Sequence, residues 1–258
     1  MYSILEHYLS TNHILMIGMI VTFILTFFLL EHPFSFLPSD QGRAFAVNGS
    51  LSKGKLRGVG FIFVLCFLIS SVLFLPLDVE YVIYGILLFA MMISGYLDDA
   101  SKTPWNEYKK GLIDLVISVV AVLTYMNFNS TTICFGADEI VIPKALFLIL
   151  GVILIWVSVN VTNCTDGVDG LCASLCSVTL LAFGVLFASV LQKYAMANFL
   201  FLSVLFAYLY FNSSPSSMLM GDAGSRALGF YIAVIALKST HPFIYILLAA
   251  VMIVDGGI

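Results

Sequence analysis

Nine apolar runs dominate this chain, at about 14–30, 59–75, 81–97, 112–126, 145–159, 171–191, 196–211, 227–237 and 243–254. A helix that crosses a bilayer needs roughly 20 apolar residues, so runs of this length and number point to membrane spans. The chain is 61% hydrophobic and 10% charged, whereas a soluble domain is about a quarter charged. The spacing predicts an all-α polytopic membrane protein with about nine transmembrane helices. The fifth and the last two runs are short, which predicts that they borrow loop residues or are broken or tilted. No polar insert is long enough for a second domain, so 1–258 reads as one transmembrane domain. The first run has no basic segment before it and no small-residue cleavage site after it, so it reads as a retained span.

Between the fourth and fifth runs, Thr131–Pro143 holds two short β-rich stretches around Gly136-Ala137-Asp138-Glu139. This predicts a small β-hairpin. Arg43, Lys53, Lys55, Arg57, Lys102, Lys109, Lys110 and Arg226 follow odd-numbered spans, while Lys144 and Lys193 lie on the even-numbered side and Lys238 ends the eighth span. Basic loops stay cytoplasmic, which predicts an outside N-terminus and an extracytoplasmic hairpin.

Six aspartates sit at span ends: Asp98, Asp99, Asp166, Asp169, Asp222 and Asp255. Each follows an odd-numbered span, so all six can meet at one cytoplasmic boundary. Carboxylates at a bilayer are costly and mark functional sites. They also suit Mg²⁺, which takes oxygen ligands and bridges to substrate phosphates. Lys102 and Lys110 can neutralise phosphate oxygens, and Asn160, Asn163 and Asn212 can bond to sugar, base or phosphate. The combination points to metal-assisted phosphoryl transfer between a cytoplasmic nucleotide and a membrane lipid.

Other residues have plainer roles. Cys66, Cys134, Cys164, Cys172 and Cys176 form no metal-binding pattern and read as small buried thiols. The four histidines share no spacing. Asp114 follows Lys110 by one helical turn, which predicts a structural ion pair between them. Lys53, Lys55 and Arg57 could serve only as topology signals. Asp255 has no motif of its own.

Four strings carry a family resemblance: SKGKLRGVG, the DDxxK string Asp98-Asp99-Ala100-Ser101-Lys102, NVTNCTDGVDGL, and FNSSPSSMLMGDAGS. They resemble the polyprenyl-phosphate N-acetylhexosamine-1-phosphate transferases. The TDGVDGL wording and the SKGK loop are similar to the phospho-N-acetylmuramoyl-pentapeptide transferase branch. The DxPxxRxxH string of the GlcNAc-1-phosphate transferases has no counterpart in LPSDQGRAFAVNG.

That resemblance implies a ten-helix fold in the bacterial plasma (inner) membrane, usually a homodimer, with the site facing the cytoplasm. It implies attack of undecaprenyl phosphate on UDP-MurNAc-pentapeptide, giving lipid I and UMP, with Mg²⁺ as cofactor and no nucleic acid partner. By matching position, Asp222 would be the metal ligand, with Asp98 and Asp99 as catalytic neighbours and Asp98 accepting the lipid-phosphate proton. Lys102 and Lys110 would contact phosphates. Asn160, Asn163, Asp166, Asp169 and Asn212 would line the nucleotide-sugar pocket, with Lys53 nearby. The same pocket would take nucleoside antibiotics such as tunicamycin.

Three departures stand out. Leu219 replaces a Phe that could stack on uracil, Asp114 replaces a Gln, and the family's His-containing last loop and final helix have no counterpart up to Ile258. The competing readings are a GlcNAc-1-phosphate transferase, a UbiA-type prenyltransferase, whose N-x-x-D-x-x-x-D spacing differs, and an ion-coupled transporter. A transporter places its carboxylates at the bilayer midplane, and these sit at span ends.

Overall fold

A computed structural model describes residues 1–32, 34–40, 53–101, 103, 105–135 and 138–257. The described chain is mostly helical: α1 (Tyr2–Leu5), α2 (Thr11–Glu31), α3 (Gly60–Phe74), α4 (Val79–Asp99), α5 (Glu107–Phe128), α6 (Lys144–Thr165), α7 (Leu171–Leu186), α8 (Gln192–Asn212), α9 (Gly221–Lys238), α10 (Pro242–Leu248) and α11 (Ala250–Gly257). Five of these are long and apolar enough to cross a membrane: α2, α4, α5, α6 and α8. The shorter α3 and α7 are also apolar. Each expected run falls on a helix, and the last splits into α10 and α11. Two strands, β1 (Thr132–Phe135) and β2 (Asp138–Val141), pair antiparallel between α5 and α6.

Polar side chains cap the starts of α4 and α5. Asp78 Oδ1 accepts from the backbone N–H of Tyr81, and Asn106 Oδ1 accepts from that of Tyr108. Each satisfies a backbone donor that the first helical turn leaves free.

The bundle is apolar outside as well as inside. Leu112, Leu115, Val116, Val120 and Leu123 of α5 are exposed, as are Leu146, Ile149, Leu150 and Ile153 of α6. A contiguous apolar exterior of this kind fits hydrocarbon rather than water. The helix at the centre is α9, buried at every residue from Gly221 to Leu237. It packs along α4 and α6 and also meets α3, α5 and α7. Small residues permit this closeness: a Cβ on Gly95 of α4 would lie 2.3 Å from the Asp222 carbonyl oxygen.

α4 and α9 run antiparallel and are joined by charge at both ends. At one end lie Asp98, Asp99 and Asp222. At the other, Lys238 Nζ donates to Glu80 Oε2 at 2.9 Å and to Asn129 Oδ1 at 2.6 Å. Glu80 also accepts from Tyr84 Oη and Asn129 Nδ2. Asp222 and Lys238 are about 24 Å apart along the helix at 1.5 Å per residue. That nearly spans a hydrocarbon core of about 30 Å, so the two charged clusters sit at opposite edges of the apolar slab.

Candidate active site

The carboxylate cluster forms where α9 begins. Gly221 has φ +67°, and a Cβ there would lie 2.3 Å from Asp99 Oδ2. Glycine is the residue that accepts both the left-handed turn and the contact. Asp222 follows in the first turn of α9. Asp98 and Asp99 close α4 beside it, and Lys110 reaches in from the first turn of α5.

Two cations, Lys110 and Arg57, hold the three aspartates of this cluster. Lys110 Nζ lies 2.6 Å from Asp98 Oδ2 and 3.3 Å from Asp222 Oδ2. Arg57 Nε donates to Asp99 Oδ1 at 2.8 Å, and its Nη2 donates to Asp222 Oδ1 at 3.3 Å. Arg57 Nη1 also reaches Asp40 Oδ1 at 3.5 Å. Asp98 Oδ1 accepts from the Trp105 backbone N–H at 2.7 Å, and Asp99 Oδ2 from that of Ala223 at 3.1 Å. Both charged partners of Asp222 stand at 3.3 Å, longer than the closest cation contacts of Asp98 and Asp99. Burial alone would lower the Arg57 pKa. The Asp99, Asp222, Asp40 and Asp166 charges reverse this and raise it above its ordinary value, so the guanidinium stays charged.

A second constellation joins the loop after α6 to the loop before α9. Asp169 accepts from Ser216 twice, at 2.9 Å from the backbone N–H and 2.7 Å from Oγ. Lys55 Nζ donates to Ser216 Oγ at 2.8 Å and lies 3.6 Å from Asp169 Oδ2. Burial would raise the Asp169 carboxyl, but the two Ser216 bonds and Lys55 hold it below the usual carboxylate range. Asn212 Oδ1 accepts from the Gly170 N–H, and its Nδ2 donates to the Met218 carbonyl. Its amide is thus committed to fastening the two loops. Leu219 is buried, and its backbone bonds to Leu56 and Val59.

A polar cavity of about 250 Å³ lies against the first cluster. One stripe from each of three helices walls it. From α5 come Glu107, Lys110, Gly111 and Asp114, and from α6 come Trp156, Val159, Asn160 and Asn163. α9 contributes Asp222 and, one turn on, Arg226. Asn163 Nδ2 donates to Ser225 Oγ at 2.9 Å, and Asn160 Nδ2 to the Trp156 carbonyl at 2.7 Å.

The expected residues therefore divide by position. Asp98, Asp99, Lys110 and Asp222 converge directly, with Asn163 and Asn160 on the adjoining cavity. Asp169 and Asn212 belong to the neighbouring loop clasp, and buried Asp166 ends α6. Lys53 is exposed in its turn, as is Asp255 on α11. Lys102 lies outside the described residues, as does Arg43. One expectation is corrected: Asp114 pairs with Arg226 of α9 rather than with Lys110, whose Nζ goes to Asp98 and Asp222. Sequence reasoning gave Arg57 and Arg226 no role beyond topology. The available signal was spacing, since Asp222 and Arg226 on α9 repeat the one-turn interval of Lys110 and Asp114 with the signs exchanged.

Buried carboxylates and cations at one edge of an apolar bundle define a multi-pass membrane enzyme that handles phosphates, and comparison with known proteins makes it a phosphoglycosyl transferase. The chain matches the profile of glycosyl transferase family 4 over residues 81–240. It is 35% identical to the phospho-N-acetylmuramoyl-pentapeptide-transferase of Treponema pallidum (strain Nichols), over 93% of this chain and 72% of that protein. It is 28% identical to the protein of that name from Halalkalibacterium halodurans, over 95% of this chain and 81% of the relative. For the Helicobacter acinonychis protein of that name the identity is 26%, over 99% and 83%. The chain belongs to glycosyl transferase family 4, among the phospho-N-acetylmuramoyl-pentapeptide transferases.

Proposed function

We propose that the chain transfers phospho-MurNAc-pentapeptide from UDP-MurNAc-pentapeptide to undecaprenyl phosphate, giving lipid I and UMP for peptidoglycan synthesis. The reaction takes place at the cytoplasmic face of the bacterial plasma membrane, with the N-terminus and the β-hairpin outside. The observation that carries this reading is the Asp98–Lys110–Asp222–Arg57–Asp99 chain of contacts at the end of an apolar bundle. A water-soluble nucleotide and a membrane-bound acceptor can both reach such an edge.

The donor set fits Mg²⁺. Mg²⁺ takes oxygen ligands and is often held by one or two carboxylates with substrate phosphates, and the aspartates at the start of α9 and the end of α4 offer such oxygens beside the cations Lys110 and Arg57. Asp222 is the best candidate ligand, because its two cation contacts stand at 3.3 Å, against 2.6 Å for Asp98 and 2.8 Å for Asp99. When bound, Mg²⁺ would neutralise charge developing on the diphosphate.

The protein's own groups would do the rest. Lys110 would contact the donor's phosphates while restraining Asp98. Asp98 would accept any proton still on the lipid phosphate; a phosphate monoester's second pKa is near 6, so at neutral pH little basic help is needed. Asp99, tied to Arg57 and the Ala223 N–H, would position these groups. Asn160, Asn163, Asp166 and the Asp169–Ser216–Asn212 clasp would shape the nucleotide-sugar pocket, where nucleoside antibiotics would compete.

The test is UMP release from UDP-MurNAc-pentapeptide by the full-length protein in vesicles containing undecaprenyl phosphate and Mg²⁺. Turnover with UDP-GlcNAc but not with the pentapeptide donor would move the chain to the GlcNAc-1-phosphate branch.

A further inference from the structure

A groove on the flank of the bundle takes no part in the site described above. It lies between α3 and α4, has a volume of about 450 Å³, and is lined by Leu68 and Val72 of α3 with Val82, Ile86 and Phe89 of α4. Gly85 also lines it, and a Cβ there would meet Leu68 Cδ2 at 3.8 Å, an ordinary contact. The missing side chain therefore leaves open space. The two polar side chains of the wall are spent on each other, Tyr81 Oη donating to Ser71 Oγ at 3.2 Å. Such a wall accepts hydrocarbon and offers a polar occupant little to bond.

Depth narrows the occupant. From Tyr81 to Phe89 the groove runs about 12 Å along α4, at 1.5 Å per residue. One leaflet is about 15 Å deep, half of a hydrocarbon core of about 30 Å. The groove therefore matches a single leaflet, and it ends at the edge marked by Glu80 and Lys238, opposite the carboxylate cluster.

The mouth at that edge is charged. Leu77 lines the groove, and the next residue, Asp78, caps α4 by accepting from the Tyr81 N–H at 2.8 Å. The Asp78 side chain is 55% exposed and pairs with Lys193 at the start of α8. Lys193 Nζ lies 5.5 Å from the ring centre of Tyr81 and 5.0 Å from that of Tyr194, so two aromatic faces hold the ammonium beside the groove. A cation and a carboxylate thus stand together where a lipid seated in the groove would place its headgroup. A headgroup with both a phosphate and an ammonium gives each an opposite partner. A headgroup with a phosphate alone sets a second anion against Asp78. Position excludes the acceptor of the transfer, whose phosphate must reach the other edge.

We propose that the groove between α3 and α4 is a site for a zwitterionic aminophospholipid, one acyl chain lying over Gly85, the phosphate meeting Lys193 and the ammonium meeting Asp78. The site lies in the leaflet remote from the reaction centre and is independent of the reaction proposed above.

Native mass spectrometry on the intact protein in detergent would measure binding of added phosphatidylethanolamine and phosphatidylglycerol. The variants are Gly85→Leu, which fills the groove, and Asp78→Asn, which removes the charge but keeps a good helix cap. Wild type should retain one phosphatidylethanolamine at least tenfold more tightly than phosphatidylglycerol. Gly85→Leu should lose at least tenfold in phosphatidylethanolamine affinity, with a melting temperature in lipid-free detergent no lower than wild type. Asp78→Asn should bring the two lipids within twofold of each other. It is read separately, so the headgroup assignment is decided even where Gly85→Leu does not fold. Equal binding of both lipids by wild type would overturn the proposal, as would a preference that survives Asp78→Asn. Unchanged lipid binding in Gly85→Leu would overturn it too, and a simultaneous shift from dimer to monomer would assign the groove to a second copy of the chain.

Discussion

Arg57 Nε donates to Asp99 Oδ1 at 2.8 Å, and the same guanidinium reaches Asp222 Oδ1 at 3.3 Å. A positive charge thus already stands beside the carboxylate best placed to hold a divalent ion. Two unit charges about 4 Å apart interact by about 4 kcal/mol at an effective dielectric near 20. Arg57→Gln should therefore tighten Mn²⁺ binding at least tenfold in the absence of donor, measured by electron paramagnetic resonance. Weaker or unchanged Mn²⁺ binding would show that the guanidinium and the ion do not compete.

Asp222→Ala should lower turnover at least a hundredfold, since a metal ligand is worth several kcal/mol of transition-state stabilisation. The fold should survive, because α9 is anchored along its whole length. Size-exclusion profile and UMP release check the two parts, and full activity would remove Asp222 from the metal site.

Gly221→Ala places a Cβ 2.3 Å from Asp99 Oδ2 at a φ of +67°. Left-handed backbone costs about 1–3 kcal/mol for a non-glycine residue, and the contact displaces Asp99. Reduced thermal stability together with reduced turnover is expected. Loss of one without the other would separate the backbone from the site.

Lys238→Met leaves Glu80 charged among Tyr84 and Asn129 at the far end of α4 and α9. Removing one partner of a buried pair costs about 3–5 kcal/mol. The melting temperature in detergent should fall by several degrees, with the donor KM unchanged at temperatures where the variant stays folded.

Asp169 has a depressed pKa, so its stabilising contribution is present above the ordinary carboxylate pKa of 3.8 and lost as pH falls through its lower folded value. Asp169→Asn should lower the melting temperature at pH 7. The gap to wild type should narrow as the medium is acidified below about pH 4. A gap independent of pH would assign the loss to shape rather than charge.

Sequence alone determined the bundle, because backbone polar groups in hydrocarbon must be satisfied by the protein itself, and an uninterrupted apolar run of about 20 residues does so as a helix, whereas a barrel strand alternates apolar and polar residues. It also marked Asp98, Asp99, Lys110 and Asp222, which stand at span ends where charge is costly. The last run, too short for a span, was read as borrowing loop residues or being broken or tilted, and the structure breaks it into α10 and α11. Arg57 and Arg226 looked like topology signals because sequence shows which residues share a helix face but not which faces meet. Only packing decided that α9 is the central helix, that Arg57 folds back onto Asp99 and Asp222, and that Asp114 turns to Arg226 instead of Lys110. The reason is distance along the chain. Arg57 and Asp222 belong to segments far apart in sequence, brought together by glycine-lined helix contacts whose partners no local pattern specifies.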